Sequence, residues 1–322
     1  MTEQQADHQL WIEKYRPQTF AEVKGHTEIV KRLQAFVEQK NIPHLLFSGP
    51  AGVGKSTLAL IIAKTLYGDT WQHNFLELNA SDSRGIDVIR ETVKNFARTK
   101  ALGTELPKII LLDESDSLTK EAQQALRRTM ETFTRTARFI LSANFSSKII
   151  DPIQSRCTIF RFKPLNDDAV KKIIDHVSQK EALKVEEKAL QAIIHVSRGD
   201  ARRVENMLQS CSAISKTITE KLVYEIVSAA HPEEMKEVLQ MAVQGNFIQA
   251  RDKLLEVMLK HGLSGEEIVK QIQETVWELS IPDQAKMQLI EKCGEIEFRM
   301  VEGSDEFIQI EALLASFVLA KK

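Results

Sequence analysis

The octet Gly49-Pro50-Ala51-Gly52-Val53-Gly54-Lys55-Ser56 fits the pattern GxxxxGK[ST]. Glycines at this spacing let successive backbone N–H groups wrap around a phosphate, and a helix opening at Lys55 adds the positive end of its dipole. Lys55 is then placed to reach the β- and γ-phosphates of a nucleoside triphosphate, and the Ser56 hydroxyl to ligate Mg²⁺. The plain alternative is a glycine-rich turn that fits by chance. Against it stand the apolar run His44 to Ser48 before the loop and the helical pattern after it, which are the flanks the motif requires. A second constellation, Lys108 to Glu114 (KIILLDE), is an apolar run ending in two acids. By itself that is an ordinary solvated strand end. Placed 57 residues beyond Ser56, Asp113 offers a carboxylate that holds Mg²⁺ through water and Glu114 one that polarises an attacking water. The two segments thus complete each other as a site for hydrolysing ATP.

Such a site needs a sheet edge, and the first half of the chain supplies the strands. His44 to Ser48, Phe75 to Leu78, Lys108 to Leu112, Arg138 to Ser142 and Thr158 to Phe162 are short apolar runs bounded by turn or polar residues. Helical patterns near 29–40, 55–66, 86–100 and 119–133 alternate with them, and Thr119 is suited to cap the last. This predicts an α/β domain with a mainly parallel sheet. After Pro164 the pattern predicts no further strands: helices near 167–182, 186–197, 201–214 and 219–228, then four or five more beyond His231-Pro232. Three units are expected: an α/β domain over 1–163, a small helical lid over 164–228 and an all-α domain over 229–322.

Among the 322 residues, 43% are hydrophobic and 27% charged, with a formal net charge of −2, so binding of DNA requires basic groups gathered on one surface. Cys157, Cys211 and Cys293 lie far apart, with no CxxC pair to suggest a zinc site or a disulfide framework, which suits a reducing cytoplasm. The polar start MTEQQADHQL lacks an apolar signal core, and no stretch approaches the roughly 18 apolar residues of a membrane span, so no membrane role is expected.

The loop, the Asp113-Glu114-Ser115-Asp116 box and the helical tail resemble the AAA+ ATPases. Ser115 departs from the Ala or Cys usual at that position of the box, which is not expected to touch nucleotide. Finer motifs are similar to the clamp-loader branch of the replication factor C type. These are Trp11-Ile12-Glu13-Lys14-Tyr15-Arg16-Pro17, Leu78-Asn79-Ala80-Ser81-Asp82 with Arg84-Gly85-Ile86-Asp87, Gln124 to Glu131 (QALRRTME), and Ser155-Arg156-Cys157. The likeness spans nearly the whole chain, is densest over 11–163 and thins over the last ninety or so residues. Bacterial relatives carry a cysteine-rich zinc module, and this chain has no cysteine before Cys157. Its short length resembles the small subunits, archaeal ones especially.

The resemblance implies an ATPase working with ATP and Mg²⁺ in a five-membered ring. That ring would combine copies of the small subunit with a replication factor C large subunit, open a sliding clamp (PCNA) and place it on primed DNA, in the cytoplasm at the nucleoid. Tyr15 and Arg16 then belong to the box that packs on adenine, and Thr57 follows Ser56 in the ATP site. Asn144 becomes a sensor amide orienting the hydrolytic water, where residues alone would read a turn-forming Asn. Arg156 becomes an arginine finger working on the neighbour's nucleotide, where residues alone allow a helix-end cap. Arg202 resembles a second sensor reaching the γ-phosphate from the lid, with Arg203 open to confusion with it. Arg90, Lys94 and Arg98 at i, i+4 and i+8, with Arg84 before them, form a cationic helix face, either solvated or tracking duplex phosphates. Arg127 and Arg128 could face DNA or an adjoining ATP site. The last helices resemble a collar that joins subunits. Two rivals stay open: another AAA+ DNA-processing ATPase such as a branch-migration motor, and a ring scaffold that binds ATP without turnover.

Overall fold

All five apolar runs are strands: β1 (His44–Ser48), β2 (Phe75–Asn79), β3 (Lys108–Asp113), β4 (Ala137–Ala143) and β5 (Cys157–Arg161). They appear in a computed structural model that describes residues 9–81, 89–227 and 231–319, with only the backbone of Ile89 and Arg90 described. Every pairing is parallel, in the order β2-β3-β4-β1-β5. The strands are apolar at nearly every position because both faces are covered. Leu45, Phe47, Ile109, Leu111 and Ile140 enter one core. It also holds residues of the helices that follow the short α1 (Trp11–Lys14), namely α2 (Thr27–Glu38) and α3 (Lys55–Tyr67). The alternate residues Leu46, Ile110, Leu112, Phe139 and Leu141 enter a second core with α4 (Lys94–Arg98) and α5 (Lys120–Thr132). The result is a sheet between two helical layers. Thr119 caps α5 as expected, its side chain accepting the Ala122 N–H.

The strand order decides what meets at the carboxyl edge. β1, β4 and β3 are neighbours, so Gly49 after β1, Asn144 after β4 and Asp113 ending β3 emerge side by side. This is the edge at which open α/β sheets bind ligands.

Two expectations on elements need correction. The helix expected over 86–100 is not one regular helix where it is described: Ile89–Val93 form a π turn, α4 follows, and Thr99 is already extended. Strands also do not stop at Pro164. Lys184–Val185 (β6) and Thr217–Ile218 (β7) pair in parallel, flanked by Lys184 N–H to Lys216 O and Glu186 N–H to Ile218 O. Two residues each are too few for any periodicity to show.

The chain divides into two compact units, Met1–Ile218 and Thr219–Lys322. The first holds the sheet together with α6 (Asp167–Glu181), α7 (Glu187–Ser197) and α8 (Ala201–Ile214). In the second, α9 (Glu220–Val227) precedes α10 (Pro232–Gln244), α11 (Phe247–His261), α12 (Gly265–Val276), α13 (Asp283–Val301) and α14 (Glu306–Leu319). The boundary expected at 228 falls on residues 228–230, which lie outside those described. Leu239, Leu254, Ile272, Leu313 and Phe317 centre the core of this unit. Within it, Glu234 accepts from Lys260 Nζ at 2.6 Å and from the His231 N–H at 3.2 Å, and lies 2.8 Å from His261 Nε2.

Candidate nucleotide-binding site

A cavity of about 610 Å³ opens over the carboxyl edge of the sheet, within the range of small-molecule sites. Its floor is the glycine loop. Gly49, Gly52 and Gly54 all take positive φ (152°, 69° and 94°), a backbone course that favours glycine. A Cβ on Gly52 would lie 1.7 Å from Asp200 Oδ1, so this glycine also admits α8 against the loop. The Ala201 N–H donates to Gly52 O at 3.0 Å and fixes that contact. Lys55 begins α3, and its ammonium donates to Gly49 O (2.7 Å), Pro50 O (2.6 Å) and, more loosely, Asn144 Oδ1 (3.3 Å). Burial holds that ammonium below the usual lysine range, with Asp113 pulling the other way. An anion arriving in the loop would meet a partly desolvated cation bound only to carbonyls.

Ser56 donates its hydroxyl to Asp113, joining the two motifs directly. Glu114 follows in the left-handed region (φ 51°), a sharp turn that sets its side chain on the cavity wall. Ser115, the departure from the usual box, is wholly buried and donates to Leu112 O at 2.6 Å, so it serves the turn and not the ligand. Asp116 accepts from the backbone N–H of Asn144 (3.3 Å) and, weakly, of Phe145 (3.4 Å), tying the end of β4 to the end of β3.

The far wall comes from the N-terminal segment and the helices after the sheet. Tyr15 and Arg16 line the cavity, and Arg16 Nε donates to Thr57 Oγ1 at 3.3 Å. The Tyr15 hydroxyl donates to Glu181 on α6, which Lys14 also reaches at 2.5 Å. Burial and that carboxylate push the phenol pKa up. The Tyr15 ring stands edge-on to Trp11 and His176. Arg202 lines the same cavity from the first turn of α8, whose start is capped by the Asp200 carboxylate. Apart from Gly49 and Pro50, which present only carbonyls to Lys55, every residue expected in the ATP site lines this one cavity, together with Glu114, Asn144 and Arg202.

Residues 45–165 match the family model described as ATPase family associated with various cellular activities (AAA), and residues 230–316 match the Replication factor C C-terminal domain. The replication factor C small subunit of Methanococcus maripaludis strain C6 is 55% identical over 305 residues, covering 95% of this chain and 97% of its own. That of Archaeoglobus fulgidus is 50% identical over 315 residues, covering 98% and 99%. The chain belongs to the replication factor C small-subunit family. It is therefore an AAA ATPase of the DNA-replication clamp-loader class, a class that binds nucleotide. The Holliday junction branch migration motor RuvB of Thermotoga maritima superposes with a TM-score of 0.56 at 20% identity, over 71% of this chain and 79% of its own. That likeness shows a shared fold, and the branch-migration alternative is set aside.

In this replication factor C small-subunit chain Arg156 stands apart from the cavity. It precedes Cys157, which pairs with His44 at the start of β1, whereas the glycine loop follows Ser48 at its end. Arg156 is thus at the amino edge of the sheet, with about 13 Å of strand between it and the level of its own loop. There Arg156 Nη2 meets Glu131 Oε1 at 2.6 Å, Arg156 Nη1 donates to Pro152 O at 2.6 Å, and Arg127 Nη1 reaches the same Glu131 oxygen at 3.3 Å. Arg128 is exposed. Of the expected DNA contacts, Lys94 and Arg98 are exposed on α4, while Arg84 and the side chain of Arg90 lie outside the described residues. Reading the sequence missed Asp116, Glu181, Asp200 and Glu205. Asp200 had a local signal, since Gly199-Asp200-Ala201 reads as a helix start with an N-cap. Asp116 and Glu181 pair with residues distant in the chain, and Glu205 is brought to the cavity wall by the fold, so none of the three leaves a mark in spacing.

Proposed function

We propose that the chain hydrolyses ATP at the interfaces of a clamp-loading ring, with Arg156 completing the site of the neighbouring subunit. The position of Arg156 carries this reading: it is exposed, and it lies at the opposite edge of the sheet from its own glycine loop. A guanidinium so placed has no route to its own γ-phosphate, and an adjoining subunit is the natural recipient. The salt bridge to Glu131 then holds the finger in its unengaged position.

Within one subunit the geometry supports the following roles. The loop amides and Lys55 bind and orient the triphosphate. Ser56 Oγ and Asp113 are hard oxygen donors meeting at the lip of the cavity, which fits Mg²⁺. When bound, Mg²⁺ supplies charge neutralisation at the β- and γ-oxygens. Glu114 takes the proton of the attacking water and Asn144 orients that water. Arg202 reaches the γ-phosphate from α8, so hydrolysis loosens the hold of the helices after the sheet. We assign 164–228 to this lid and 229–322 to a collar that joins subunits. The partners are a large subunit, further copies of this chain, the sliding clamp and primed DNA, with Lys94 and Arg98 among the phosphate contacts.

The test is Arg156→Ala in the assembled complex. Nucleotide binding should stay within about twofold, while DNA-stimulated hydrolysis falls by about 10³-fold or more, the worth of an arginine finger. Normal stimulation in that variant removes the trans role.

A further inference from the structure

The cavity holds one carboxyl that neither the fold nor the chemistry above employs. Glu205 lies on α8 one turn beyond Arg202 and is 7% exposed, yet it lines the nucleotide cavity. Among the described residues its side chain has no hydrogen-bond or ion-pair partner, and its neighbours on that wall are satisfied. Glu13 is exposed and ion-paired with Arg16, and Glu22 is exposed and accepts from the Gln18 N–H at 2.7 Å. Asp113 and Glu114 belong to the phosphate end. Residues 202, 205 and 209 share one face of α8. Along that face, Arg202 acts electrostatically on both Lys55 and Glu205, whereas Glu13 acts on Glu205 alone of those two. Gln209 Oε1 accepts from the Trp11 N–H at 3.0 Å. Glu205 therefore sits on the side away from the glycine loop, toward the N-terminal segment.

A triphosphate anchored at Lys55 must extend its nucleoside into that part of the cavity. Beside polar groups such as His176 and Lys180, the cavity lining includes the apolar side chains of Ile12, Val23, Leu165 and Val177, which offer contact surface to a planar ring. An ionised carboxylate would be repelled there by the phosphates. Burial instead raises the Glu205 pKa to about 8, against the opposing pull of Arg202. The group is thus largely protonated at neutral pH and offers an O–H donor beside a C=O acceptor.

We propose that Glu205 contacts the adenine ring directly, its carbonyl oxygen accepting from the 6-amino group and its hydroxyl donating to the adjoining ring nitrogen. This deepens the reading of the cavity as the ATP site and rests on it. A buried donor–acceptor pair of this kind makes the site sensitive to loss of the matching group on the ligand.

The experiment measures the affinity of the full chain for ATP and for purine riboside triphosphate, which lacks the amino group, by calorimetry at pH 7. The variants are Glu205→Leu, Glu205→Gln and Lys55→Ala. The wild-type chain should prefer ATP by about tenfold, the worth of one buried hydrogen bond. Glu205→Leu should shrink that ratio at least about threefold through weaker ATP binding, a coupling between the two deleted groups. Glu205→Gln, which keeps a donor and an acceptor, should preserve it. An unchanged ratio in Glu205→Leu, or equal loss in both Glu205 variants, overturns the proposal. Lys55→Ala separates the two levels: undiminished binding in that variant means the cavity is not the nucleotide site, and the reading of Glu205 falls with it.

Discussion

At the scale of single residues, the site is a set of charges held short of their partners. Lys55 is bound only by two main-chain carbonyls and one amide oxygen, and burial already disfavours its charge. Replacing it with Ala removes charge-assisted hydrogen bonds of about 1.5–3 kcal/mol. ATP affinity, measured by calorimetry, should accordingly fall about 10- to 100-fold. Glu114→Gln should behave in the opposite way, keeping ATP affinity within about threefold while single-turnover hydrolysis drops about 10²- to 10⁴-fold, as for loss of a general base. These two residues were legible from spacing, because a glycine loop and a strand-end acid each have a local signature. Asp116, Glu181 and Glu205 were not. Their importance lies in what folding sets against them: the β4 end, the Tyr15 hydroxyl and the cavity wall.

At the scale of elements, apolar runs and periodicity located each of the five strands of the main sheet and the helices around it to within a few residues, because burial on both faces leaves an unmistakable pattern. What escaped was structure without a period. β6 and β7 are two residues each, and the π turn at Ile89–Val93 keeps helical composition while changing helical pitch. The second unit shows how polar pairs pin elements that the pattern only lists. Glu234 at the start of α10 receives Lys260 and contacts His261 at the end of α11, and its carboxylate also accepts from the backbone N–H of the His231 cap. Burial alone would raise the Glu234 pKa, but these hydrogen bonds, first that of Lys260, bring it down to about 2. A carboxyl held below its unfolded value contributes stability above that value and loses it as the pH falls through the folded one. Thermal melts should therefore show Glu234→Gln less stable by about 1–2 kcal/mol at pH 7, a modest figure because the group is partly exposed. The gap should close between about pH 4.5 and 2. A gap constant down to pH 2 would mean that Glu234 acts by packing and not by charge.

At the scale of the whole molecule, the change from alternating strands and helices to helices alone at Pro164 lies inside the first compact unit, and the helix Glu220–Val227 groups with the second. A net charge of −2 leaves no general attraction to nucleic acid, so the proposed hold on DNA requires local cationic surfaces, for which Lys94 and Arg98 are the proposed contacts. Among the described residues no helix is long and apolar enough to cross a membrane. On the proposed function, ATP turnover in this chain is governed by assembly on a clamp and primed DNA. Steady-state ATP hydrolysis by the assembled complex, with neither, either or both of these added, tests it most directly. Slow hydrolysis alone, a partial response to either, and strong stimulation requiring both are expected. Hydrolysis indifferent to the clamp, or stimulated by branched DNA in its place, would contradict it.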